Sequence, residues 1–78
     1  MNAQIAAAAN RHRFVLVASY TNRFGPVEIF KRGLTEITAA YNHDGSFRRG
    51  SHSTDEAADE FPKTTDLRTF RTWFARSV

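Results

Sequence analysis

The side chains best equipped for chemistry in this sequence are its arginines. Together with Lys31 they fall into three groups. Arg11, Arg13 and Arg23 flank the first apolar run; Lys31, Arg32, Arg48 and Arg49 stand at the ends of later runs; Arg68, Arg71 and Arg76 recur in the C-terminal segment. A guanidinium offers five donors in a planar fork that matches phosphate and carboxylate. Groups of this kind imply contact with an anionic partner. Arg48-Arg49 follows the Asp44-Gly45 pair, so it is expected to project from a mobile hairpin tip. Arg48, Arg49, Arg68 and Arg76 are the expected exposed contacts, with Lys31 and Arg32 beside them. The abundance of Arg and Ala also fits GC-rich coding, which sets the composition without reference to any partner.

The acidic side chains are gathered elsewhere. Asp55, Glu56, Asp59 and Glu60 are four of the eight acidic residues. Outside that stretch stand eleven basic side chains and four acidic ones, so the net charge of +3 hides a more basic body. Such a body attracts anions over roughly 8–10 Å at ordinary salt. The i, i+4 spacing of Asp55 with Asp59 and of Glu56 with Glu60 suits a solvated helix face near a helix start. It also suits a contact patch for a basic partner. The glycine and closing glutamate of a calcium loop are missing.

Little else has catalytic spacing. His12, His43 and His52 make no HxH or HxxxH pair, so no metal centre is expected. Ser51 and Ser53 flank His52, but strand neighbours point to opposite faces, so they form no dyad. Glycines at 25, 33, 45 and 50 are too scattered for a phosphate loop or a dinucleotide fingerprint. The chain has no cysteine, which removes disulfides and thiolate ligands. The expectation is a protein that is not an enzyme and needs no cofactor.

The elements that must position these groups are short. At 78 residues the chain is expected to form one small domain over 1–78, with residues 1–10 a frayed arm or a helix that needs a partner. The spacing predicts strands over 13–20, 27–32, 35–41 and 46–50. In the first, Phe14, Leu16, Ala18 and Tyr20 share one face and Val15 and Val17 the other, which reads as a central strand. In the second, Val27 and Ile29 point inward, away from Glu28 and Phe30. In the third, Ile37, Ala39 and Tyr41 alternate with Glu36, Thr38 and Ala40. The fourth frays at Gly50. Ser53-Thr54-Asp55-Glu56 has capping-box spacing for a short helix that Pro62 halts. A second helix starts at Thr64-Thr65-Asp66 and carries Leu67, Phe70, Phe74 and Val78 on one side. Arg68, Thr72 and Arg76 form its outward face. The expected fold is α+β: an antiparallel β-meander of three to four strands, with a C-terminal amphipathic helix packed on one face.

The longest apolar run, Phe14 to Ala18, is far below the ~18 residues that span a bilayer. A cytoplasmic protein without membrane contact is expected. Two functions fit a compact, cysteine-free basic domain without catalytic groups. One is a small protein-binding module, an inhibitor or accessory protein docking through basic patches on a target, for example a part of nucleic-acid-processing machinery. In general character the chain is similar to small inhibitors of phages and mobile elements, anti-CRISPR proteins among them, although no motif is shared. The alternative is a nucleic-acid-binding protein that grips phosphates through arginines on the sheet and last helix. Tyr20, Phe30, Tyr41 and Phe47 would then be candidates to stack on unpaired bases. Apolar residues on both faces of the first strand also allow a homodimer.

Overall fold

The computed structural model describes residues 2–54 and 63–76. The order is α1 (Ala3–Arg11), β1 (Val15–Asn22), β2 (Gly25–Arg32), β3 (Thr35–Tyr41), β4 (Phe47–Thr54), β5 (Lys63–Thr64) and α2 (Leu67–Arg76). The strands form one antiparallel sheet in the order β1-β2-β3-β4-β5. The α+β meander is therefore present, with five strands instead of three to four; the fifth is a two-residue addition to β4. The capping-box helix expected after Ser53, and the acidic group within it, lie outside the described residues.

The N-terminal alanines form a helix because both of its ends are satisfied and one face is buried. Asn2 Oδ1 accepts from the backbone N–H of Gln4 (2.8 Å) and Ile5 (3.1 Å), an N-cap. At the other end Arg13 takes a left-handed φ of 64°, which closes the last turn through Phe14 N to Ala9 O (2.8 Å) and Arg13 N to Asn10 O (3.2 Å). Ile5 and Ala9, one turn apart, are buried in the core. The partner that a short alanine helix needs is thus the sheet together with α2.

Helix α2 starts where the sequence indicates. Asp66 Oδ2 accepts from the N–H (3.2 Å) and hydroxyl (2.7 Å) of Thr69, which also holds its carboxyl below the usual range. Phe70 and Phe74 are fully buried, and Leu67 and Trp73 pack beside them. The core joins these rings to Ile5, Ala9, Phe14, Phe30, Ile37, Ala39 and Tyr41. Both helices thus pack on one side of the sheet.

Two of the expected strand faces are corrected. Across β1 and β2, Leu16 pairs with Phe30 but Ala18 pairs with Ile29, so Val17 is an extra residue in a bulge. Leu16 therefore points to the helix side, while Val15, Ala18 and Tyr20 point to the opposite face. In β2 it is Glu28 and Phe30 that face the helices, and Val27 and Ile29 that face away. Glu28 can do so because Tyr41 donates its hydroxyl to Glu28 Oε1 at 2.7 Å. Gly50, expected to fray, sits inside β4 opposite Ala39 and Thr64. A Cβ there would collide with the ring of Phe70, so the glycine is the seat of that ring.

The Glu28–Tyr41 bond yields a stability prediction. Burial, and then the hydrogen bond to Glu28, push the Tyr41 hydroxyl well above its ordinary pKa of 10.0. A raised folded pKa means that this contribution is complete below pH 10 and is lost as pH rises beyond it. Tyr41→Phe removes the donor and leaves a buried carboxylate short of a partner, at about 1.5–3 kcal/mol. Urea unfolding at pH 7 should show that loss, and the variant's stability should change less than the parent's above pH 10. An unchanged midpoint at pH 7 would show that the bond contributes nothing.

Candidate functional site

The structure separates the basic residues into two sites and leaves a third surface without charge. The first site is a groove between the helices. Arg11 and His12 at the end of α1 face Arg68 and Arg71 of α2 over a floor that includes Ala3 and Ala7, with a volume of about 670 Å³. Arg71 Nη1 lies 3.4 Å from Gln4 Oε1, a contact that ties the two helices together. No carboxylate lines the groove among the described residues. Arg68 is exposed there, as expected from the outward face of the helix. Arg11 and Arg71 join it only through helix packing, which sequence spacing does not reveal.

The second site lies on the sheet face turned away from the helices. Tyr20, Val27, Ala40 and Arg49 form one register line across β1 to β4. Between Ala40 and Tyr41 the register shifts, so that Tyr41 pairs with Phe47, Ala40 pairs with Arg49, and Arg48 is the extra residue. In a regular strand, consecutive side chains alternate faces. The bulge cancels that alternation, and both arginines line one trough of about 110 Å³. Arg48 is not on a mobile tip. It is half-buried, its guanidinium stands 5.1 Å from the centre of the Phe24 ring, and its Nε is buried without a hydrogen-bond partner. Arg23 approaches the same ring at 4.9 Å.

The hairpin ends that carry these groups brace each other. Asn22 Oδ1 accepts from the N–H of Phe24 (2.8 Å) and Gly25 (3.2 Å). Across the gap, His43 Nε2 contacts Arg23 O at 2.8 Å. In the β3–β4 turn, Asp44 Oδ1 accepts from the N–H and hydroxyl of Ser46, which keep its carboxyl below the usual range.

The other expected contact residues are dispersed. Arg32 donates from Nη1 to His12 O (2.6 Å) and lies 4.6 Å from the centre of the Phe14 ring. It clamps the end of α1 and belongs to the scaffold. Lys31 pairs across the sheet with Val15 and Glu36, away from Arg48 and Arg49. Arg76 closes α2, and its side chain lies outside the described ones. The aromatic stacking platform is overturned: Phe30 and Tyr41 are buried and Phe47 packs against Phe70 with ring centres 5.0 Å apart, which leaves Tyr20 exposed.

The third surface is β1 itself. The apolar pattern on both of its faces reads as a central strand, yet it is the edge of the sheet. All eight residues are exposed, with Val15 at 63%, Val17 at 55% and Tyr20 at 53%. None is charged, and Arg13 and Arg23 stand just beyond its two ends.

Among the described residues no group of three or more His, Cys, Asp or Glu side chains is placed to hold a metal ion, and no helix is long and apolar enough to cross a membrane. Compared with protein-family models, curated proteins and solved structures, the chain matches none.

Proposed function

We propose that this chain is a small non-enzymatic protein-binding module, an inhibitor or accessory protein in the manner of phage and mobile-element proteins. It takes up an extended segment of its partner along β1. The observation that carries this reading is an eight-residue edge strand, exposed throughout, apolar on both faces and without charge. Protein edges are usually blunted with charges, prolines or cover, because their free backbone groups template another strand. Among the described residues Val17 supplies a bulge, and no charge, proline or covering element blunts the strand. An added strand completes the backbone ladder and buries these side chains. A nucleic acid offers no matching ladder, which favours a protein partner.

Charge identifies the occupant. Arg13 and Arg23 bracket an uncharged strand, so the fitting segment is apolar in its middle and acidic at its ends. A second copy of this chain fits less well. Antiparallel self-pairing of β1 would set Arg13 of one copy beside the Arg23 end of the other, an unfavourable like-charge contact. The test uses two synthetic peptides with the same alternating apolar centre, one flanked by Glu and one by Lys. The Glu-flanked peptide should slow hydrogen exchange of β1 amides and bind at least ~10-fold tighter, a difference of about 1.4 kcal/mol. Val17→Lys should abolish that binding, with stability changed by less than ~0.5 kcal/mol because the site is exposed. Equal binding of both peptides, no protection of β1, or a stable dimer in sedimentation would overturn the reading.

A second reading rests on the groove between the helices. Arg11, Arg68 and Arg71 could grip successive phosphates of a nucleic acid. A salt-resolved titration with single- and double-stranded oligonucleotides decides it. Linear log–log weakening, reduced in slope by Arg68→Ala/Arg71→Ala, would support it, and no binding at low salt would end it.

A further inference from the structure

We infer that the trough on the outer face of the sheet is a binding site for a small phosphate group, independent of strand docking along β1. Donor side chains line its walls. Arg48 and Arg49 enter side by side because of the β4 bulge, and Tyr20, Asn22, Thr38 and Ser51 complete the wall. Asn22 already uses its Oδ1 on the β1–β2 turn, so the Nδ2 amide is the group it has left to offer a ligand. No carboxylate is present in the lining among the described residues.

Arg48 carries the second, independent observation. Its Nε is buried and has no hydrogen-bond partner. Buried polar groups in folded proteins are nearly always paired, and an orphan calls for an acceptor that the described residues do not supply. The floor sharpens the need, because Val27 and Ala40 are both buried beneath the trough. Charge-assisted hydrogen bonds strengthen over an apolar floor where water is partly excluded.

Size and donor count select the ligand. A volume of about 110 Å³ holds roughly three or four waters at ~30 Å³ each, which suits a single phosphoryl group and excludes a nucleobase or a folded element. A carboxylate has two oxygens with about four lone-pair sites. Two guanidinium forks, three hydroxyls and an amide exceed that number, and they stand on opposite walls, in β1 and β4, with Thr38 of β3 between them. A tetrahedral phosphate, with acceptor oxygens in several directions, engages both walls. Phe24 lies against the Arg48 guanidinium and holds it in place.

The experiment titrates inorganic phosphate, and separately acetate at matched ionic strength, into the uniformly ¹⁵N-labelled chain. The expected result is a saturable shift of the Arg48 Nε–H signal and of the Gly50 and Ser51 amides. Acetate should bind at least tenfold more weakly. Arg49→Gln and Thr38→Val should each weaken phosphate binding several-fold, while the remaining spectrum stays that of the folded parent. Phosphate shifts that follow ionic strength without saturating would overturn the inference. So would shifts confined to Arg11, Arg68 and Arg71, or full affinity in both variants. Val17→Lys, which tests the strand edge, should leave phosphate binding intact, so the two readings fail separately.

Discussion

Phe74→Ala is expected to lower the unfolding free energy by ~3–5 kcal/mol. Phe74 is fully buried, and its ring makes edge-to-face contacts with Phe14, Phe30 and Phe70, at centre distances of 5.2, 5.7 and 5.5 Å. Those three rings belong to the segment after α1, to β2 and to α2, so this one side chain joins α2 to the sheet and to the link between α1 and β1. Such contacts add about 0.5–1.5 kcal/mol each beyond area burial. A chain of this size has a total stability of roughly 4–12 kcal/mol at ~0.05–0.15 kcal/mol per residue. At the low end of that range the loss brings the variant to its unfolding midpoint at about 25 °C; at the high end it stays folded with a lowered urea midpoint. Urea unfolding followed by circular dichroism measures the loss. Leu34→Ala is the control, because Leu34 is 65% exposed and should change stability by less than ~0.5 kcal/mol. A Phe74→Ala protein destabilised no more than this control would refute the assignment of the core.

That core was legible in the sequence wherever the period ran unbroken. Ile37, Ala39 and Tyr41 alternate without interruption, and the structure buries all three. Phe70 and Phe74, one turn apart behind an Asp cap, were equally readable. The pattern misled at β1 because one bulged residue moves Ala18 and Tyr20 to the other face, and a bulge has no signature in residue type. It misled at β2 because Glu28 looks like a surface residue until the hydroxyl of Tyr41, thirteen positions away, is known to reach it. Gly50 reads as a breaker because a glycine within a strand lacks the side chain that explains it; the explanation is Phe70, twenty residues later.

The candidate sites follow the same logic. That Arg48, Arg49 and Arg68 are candidate contacts could be read from charge and position. That Arg48 and Arg49 share a face could not, since it depends on the β4 bulge. Arg11 and Arg71 meet Arg68 only once α1 and α2 are packed, and Arg32 looked available because its partner is a backbone carbonyl. The exposed β1 edge was the hardest to foresee. Apolar residues on both faces are the composition of a central strand, and nothing in that composition marks β1 as an edge.

Gly25→Ala is expected to cost ~3 kcal/mol or more, although it adds a single methyl group. Gly25 has a φ of 140°, a region L side chains rarely enter, and strain of that kind costs ~1–3 kcal/mol. A Cβ would also collide with Tyr41 O and come within 2.8 Å of Asn42 C and 3.0 Å of His43 N. All three are backbone atoms at the end of β3 and the start of its turn, so no side-chain rotation relieves the clash. Overpacking adds a further ~1–3 kcal/mol. This close approach lets the β1–β2 turn lie against the β3–β4 turn, where His43 touches Arg23 O and Phe24 lies against Arg48. The substitution should therefore act twice, lowering the urea midpoint and shifting the Arg48 Nε–H resonance at denaturant concentrations where the protein is still folded. Gly33→Ala separates the effects of strain and contact. Gly33 also has a positive φ, of 59°, but nothing lies within 4 Å of its Cβ position, so it should cost only ~1–2 kcal/mol and leave Arg48 undisturbed. Equal losses in the two variants would mean that the turn-to-turn contact contributes nothing, and that Arg48 is held by the β4 bulge alone.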